Sequence, residues 1–137
     1  MEKLLCLALL AFCINSEAQI TLEHTYDSAA TYDAYHCGYS QLMIINFEIS
    51  GYRYVKYNRC NKCLNIYNMN HSLLKTISLS NLPTGPTGSM GDILYISEKL
   101  FNTDQRIEYM YSVYASQPYT GIYNEDGGLL FSDNGIE

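Results

Sequence analysis

The chain has 137 residues, with 14 acidic against 8 basic side chains and a formal charge of −6. That balance excludes a general nucleic-acid binder, which needs a net positive face to replace phosphate counterions. Hydrophobic residues make up 47% of the chain and tyrosine supplies 14 positions, with no tryptophan, a composition suited to one small domain rich in strands.

Met1-Glu2-Lys3 precedes an apolar run from Leu4 to Ile14. The run is too short to span a bilayer but matches a signal-peptide core. Small residues in Ser16-Glu17-Ala18 place cleavage before Gln19, so residues 1–18 are expected to be a helical signal peptide that engages the export machinery. A lipid anchor at Cys13 is disfavoured by Phe12 before it. The mature chain of 119 residues carries a formal charge of about −5 and contains no later membrane helix. Its expected location is therefore the periplasm, the cell surface or the exterior.

Residues 19–40 form a polar lead-in with no clear period. Strands are expected at 41–49, stopped by Ser50-Gly51, then at 52–57, 63–67 and 73–79, a four-stranded antiparallel meander within a first β unit spanning 41–80. Asn81 to Gly91 holds two of the three prolines and three of the nine glycines and reads as a linker over 81–91. A second β unit at 92–137 follows, with strands expected at 92–97, 107–114, 119–123 and 129–132. Ser97 to Phe101 offers one helical turn as an alternative.

Two nine-residue stretches repeat with an offset of 56: Ile66-Tyr67-Asn68-Met69-Asn70-His71-Ser72-Leu73-Leu74 and Ile122-Tyr123-Asn124-Glu125-Asp126-Gly127-Gly128-Leu129-Leu130. Each reads as strand, turn and strand, the closing hairpin of its unit. Gly127 supplies positive φ in the second tip, and asparagine is expected to do so in the first. The fold class is thus all-β, two repeat units of about four strands, either propeller-blade-like or a small sandwich.

Charge is unevenly divided. No acid falls between Glu48 and Asp92, while Arg53, Lys56, Arg59, Lys62 and Lys75 do; from Asp92 onward eight acids face Lys99 and Arg106. Halves of opposite sign can attract within the fold or between molecules.

Candidate chemistry is sparse. Cys60 and Cys63 form a CxxC, with Cys37 as the third mature cysteine; in an exported chain a disulfide between two of the three is expected, its pairing open. A small metal-binding domain using Cys37, Cys60, Cys63 and His36 or His71 has the right ligand types but lacks a second CxxC knuckle. The thioredoxin-like redox context is missing, because the CxxC does not follow a strand and open a helix. Asp104 and Glu125-Asp126-Gly127 lack calcium-loop spacing and read as Asx-stabilised turns. The glycines at 85–91 lack the Lys of a phosphate cradle. No nucleophile elbow links His24, His36 or His71 to a serine, and no catalytic residue or cofactor is expected. Tyr52, Tyr54 and Tyr57 beside Arg53 and Lys56 could stack on a ligand, but alternation divides them between two faces.

The segment from Ile96 to Tyr109, containing Leu100-Phe101-Asn102, Asp104 and Ile107-Glu108-Tyr109, followed by Asn124-Glu125-Asp126-Gly127, resembles a recurrent pattern in large exported and surface proteins of Bacteroidetes. The stretch from Leu42 to Leu79 looks like the preceding unit of the same proteins, so the resemblance covers most of the mature chain. It implies β-propeller-like or other β-repeat architecture and, in many such proteins, type IX secretion. Two units cannot close a propeller of at least about four blades, so the chain is expected to be the N-terminal part of a longer protein. The function this implies is a non-catalytic scaffold or recognition module for an extracellular protein or glycan. The alternatives are the N-terminal region of an exported hydrolase, or the small metal-binding domain.

Overall fold

Ten strands follow one another without an intervening helix among the residues that a computed structural model describes: 23–26, 32–33, 38–99, 101, 103–114 and 117–133. The first pair is minimal. Strand β1 (Tyr32–Asp33) pairs antiparallel with β2 (Gly38–Tyr39), within the segment expected only as a lead-in. The signal helix expected at residues 1–18 lies outside the described residues, as do Cys37 and His36.

Two four-stranded antiparallel sheets make up the rest. The first has the order β3 (Gln41–Phe47), β4 (Gly51–Asn58), β5 (Cys63–Tyr67) and β6 (Leu73–Ser78); the second runs β7 (Asp92–Ser97), β8 (Glu108–Val113), β9 (Tyr119–Asn124) and β10 (Leu129–Asp133). Both are meanders, as the short turns require. Strand β3 ends two residues earlier than its apolar pattern suggests, and Gly51, expected as a stop, instead opens β4 at φ +73. The helical alternative at Ser97 to Phe101 is not adopted: Glu98 and Lys99 form a bend.

The two hairpin tips share one geometry. Asn68 N bonds to Ser72 O and His71 N to Asn68 O; Asn124 N bonds to Gly128 O and Gly127 N to Asn124 O. Both are turns closed by a residue in the left-handed region, the arrangement of a three-residue hairpin loop with a bulge. In the first tip that residue is His71, at φ +65, rather than the expected asparagine; in the second it is Gly127, at φ +81. Histidine is one of the side chains enriched there. Asn68 and Asn124 instead open the turns, and Asn124 Oδ1 accepts from the Asp126 and Gly128 amides.

Residues directly opposite across paired strands share a face, which allows the sheets to be compared row by row. In the first sheet Met43, Val55, Ile66 and Lys75 form one cross-strand row. Its counterpart in the second is Tyr95, Met110, Ile122 and Phe131. These rows define the front faces. The back faces carry Ile44, Tyr54, Tyr67 and Leu73 in the first sheet and Ile96, Tyr109, Tyr123 and Leu129 in the second. A bulge between Ile93 and Tyr95 brings Ile93 and Ile96 onto one face although they are three residues apart.

The sheets pack through unlike faces. One core joins Phe47, Val55, Tyr57, Leu64, Ile66 and Ile77, all from the front side of the first sheet or its edge, with Ile93, Ile96, Tyr109, Tyr111, Val113 and Tyr123 from the back of the second. Each fully buried aliphatic side chain contributes about 1.5–3 kcal/mol relative to exposure. The linker is held between them: Tyr57 Oη donates to Gly91 O at 2.8 Å, Gly91 N donates to Tyr111 Oη at 2.7 Å, and Tyr111 Oη donates to Pro83 O at 2.6 Å. Burial pushes both hydroxyls above the usual tyrosine pKa, so both stay protonated as donors.

Candidate recognition surface

Cys60 and Cys63 do not pair with each other. Cys60, in the turn after β4, is disulfide-bonded, while Cys63, the first residue of β5, keeps a free thiol. Burial pushes the Cys63 thiol pKa up, opposed by nearby Lys56, which lowers its thiolate fraction. His71 stands at the tip beyond Tyr67, the other end of β5. The structure therefore brings together neither Cys60 and Cys63 as a dithiol nor His71 with either. Among the described residues no three His, Cys, Asp or Glu side chains cluster as a metal site would require.

His71 is gathered instead into an aromatic cluster that fastens residues 23–26 to the back of the first sheet. Its ring stacks on His24 at 4.6 Å and on Tyr54 at 5.0 Å, and its Nδ1 lies 2.7 Å from Tyr26 Oη. Tyr26 meets the edge of Tyr67 at 4.7 Å. Glu23 Oε1 approaches His71 Nε2 to 3.2 Å, in a direction that does not make a hydrogen bond. Burial, then the neighbouring Tyr54, Tyr67 and Glu23, push the Tyr26 hydroxyl pKa upward. Sequence reading missed this cluster because Tyr26 and His71 are far apart in the chain and no local period links them.

The acidic and basic halves meet within the fold. Lys75 Nζ reaches Glu125 Oε1 at 2.7 Å, and the Arg59 guanidinium pairs with Asp92, donates to Met90 O and lies 4.9 Å over the Tyr57 ring. Asp104 and Asp126 are both engaged by Arg106, and Asp104 Oδ1 accepts from the Arg106 amide in an Asx turn. Arg106, by side-chain and backbone hydrogen bonds, holds the Asp104 carboxyl below the usual carboxylate range.

A second junction is a reciprocal pair of carboxylates. Glu48 accepts from the Glu98 amide at 2.9 Å and from Ser97 Oγ at 2.7 Å; Glu98 accepts from the Ile49 and Ser50 amides, each at 2.9 Å. The Glu98 amide, followed by Ser97, lowers the Glu48 pKa. Each carboxylate thus fixes the turn that carries the other.

Among the described residues, open apolar surface lies in two places besides the back of the first sheet, where Ile44 and Leu73 are exposed. Between edge strands β3 and β7 lies a cleft of about 270 Å³, floored by Met43, Ile45, Ile93 and Ile96 and bordered by Glu48 and Tyr95. The front of the second sheet is open at its edge strands: Tyr95 is 47% and Phe131 59% exposed, with Phe101 edge-on to Tyr95 at 6.4 Å, whereas Met110 is half-buried and Ile122 buried between them. Of the tyrosines considered at β4, Tyr57 is in the core, whereas Tyr54 lies half-buried under the arm and Tyr52 is exposed. Contiguous apolar surface rimmed by polar groups marks a contact site more than scattered exposed residues do. No family model matches the chain, and no curated protein and no solved structure matches it.

Proposed function

We propose that the chain is an exported, non-catalytic β-repeat module that serves as a scaffold and recognition surface, its four-stranded units stacking in the manner of successive propeller blades. The observation that carries this reading is the packing of unlike faces. If two like units met as a closed sandwich, corresponding faces would cover one another. Here the front of one covers the back of the next, a heterologous contact that leaves the front of the second sheet and the partly arm-covered back of the first outside it for continued stacking. The bonded state of Cys60 and the apolar N-terminal run both support export to an oxidising compartment.

The reading is tested by extending the chain after Asp133 with a second copy of residues 81–133. Hydroxyl-radical footprinting should then show Tyr95 and Phe131 of the original copy protected, with a single cooperative unfolding transition. Unchanged reactivity at both positions would overturn the stacking reading.

A further inference from the structure

The outer faces of this molecule carry the two halves of the interface that already joins its sheets. We infer that two copies of the chain associate head to tail, the front of the second sheet of one seating on the back of the first sheet of the other. This rests on the stacking reading above and names its partner.

Three observations converge. First, the free faces are apolar at positions whose counterparts are buried inside the chain. Ile44 is 60% exposed where Ile96 is 8% exposed, and half-buried Met110 stands where Val55 is wholly buried. Second, the rim changes in a matched way. Inside the chain Lys75 meets Glu125; in a head-to-tail pair the residues at those positions are Phe131 and Met69, both exposed. An ion pair is replaced on both sides at once by two apolar side chains, which suits each to the other and neither to water. Third, the same orientation places the net-basic first sheet of one copy beside the net-acidic second sheet of the next, so the charges favour this pairing over front-to-front contact.

The arm at residues 23–26 occupies part of the receiving face. Tyr26 covers Tyr54 and Tyr67, while Ile44 stays open. The arm therefore competes with the second copy, and His71 is its fastening. Releasing it need not damage the hairpin, because Gly127 holds the corresponding backbone position at the other tip with the same turn bonds.

Sedimentation equilibrium of the exported full chain tests this, up to about 1 mM, the weak end of specific association. Concentration-dependent association is expected, weaker with added salt. Phe131→Glu and Ile44→Glu should each be monomeric alone, yet their equimolar mixture should form a dimer, since each variant keeps the face the other has lost. His71→Gly should associate about tenfold more tightly, by removing the fraction of molecules held closed by the arm. Both glutamate substitutions lie at exposed positions, and an unchanged urea midpoint verifies their folding. A wild-type monomer at all concentrations, association by either single variant, or a monomeric mixture would overturn the inference. If the extended chain described above stacks while the natural chain stays monomeric, self-association fails and the module reading stands.

Discussion

Ile44 and Ile96 hold the same place in their sheets, on edge strands and opposite Tyr54 and Tyr109, yet one lies open and the other is core. Side-chain chemistry is the same, so the difference comes from what each face meets. The back of the second sheet is covered by the front of the first, whereas the back of the first is met, among the described residues, by residues 23–26 over part of its area. Burial here is set by which face meets the other sheet, and the outer faces keep apolar residues such as Ile44 and Phe131 exposed.

The largest expected effect that would break this comparison comes from the tyrosines of the two back faces. Tyr109→Ala should cost about 4 kcal/mol, as for a large buried aromatic, and Tyr54→Ala about 1 kcal/mol. Urea midpoints at unchanged slope measure both. Equal losses would mean the two backs are equally covered.

Next is a glycine. Gly121 lies on the back of β9, where an added Cβ would come within 2.6 Å of Tyr119 Oη and 2.7 Å of Tyr123 Cε2. Its counterpart in the first hairpin is Asn65, whose side chain accepts from Thr76 Oγ1 on an exposed surface. Gly121→Ala should destabilise by about 2 kcal/mol through overpacking, and Asn65→Ala by about 0.5 kcal/mol. Thermal unfolding would show the gap, and a neutral Gly121→Ala would contradict the tight Tyr119–Tyr123 packing.

A smaller effect tests the clasp between the sheets. The Glu48 pKa is lowered in the fold, so its contribution is fully present above the unfolded carboxylate value and is lost as pH falls through the folded one. Glu48→Gln should cost about 1 kcal/mol at neutral pH, since the group is largely exposed and its bonds are partly screened. It should also flatten the acid limb of a stability–pH curve; an unchanged limb would place the acid sensitivity elsewhere. Smallest of all, a double-mutant cycle on Lys75 and Glu125 should give a coupling of about 0.5 kcal/mol, as for an exposed ion pair.

Much of the backbone was legible in the sequence. The strands at 63–67 and 92–97 follow their apolar patterns to the residue, and Asn81 to Gly91 lies between the two sheets, after β6 ends at Ser78 and before β7 starts at Asp92. Stacking was not legible, because alternation tells that a strand has two faces and not which is covered. Tyr54 and Tyr57 look alike along β4, and only the sheet packing sends Tyr57 inside. The bulge at Ile93 to Tyr95 hides a shared face from any period-2 reading. In the sequence His71 reads as a metal-ligand candidate, with asparagine expected to take the positive φ of its turn. Its positive φ follows from the tip geometry it shares with Gly127, and its partners, Tyr26 and His24, come from a distant segment with no local signature.

The packing of unlike faces is tested most directly by nuclear Overhauser contacts in the folded protein. The account predicts contacts from the Val55 and Ile66 methyls to the rings of Tyr109 and Tyr123 in dilute solution, and none from the Met110 or Ile122 methyls to the first sheet. Contacts from Met110 and Ile122 to Val55 and Ile66 would show the corresponding faces covering one another and contradict it.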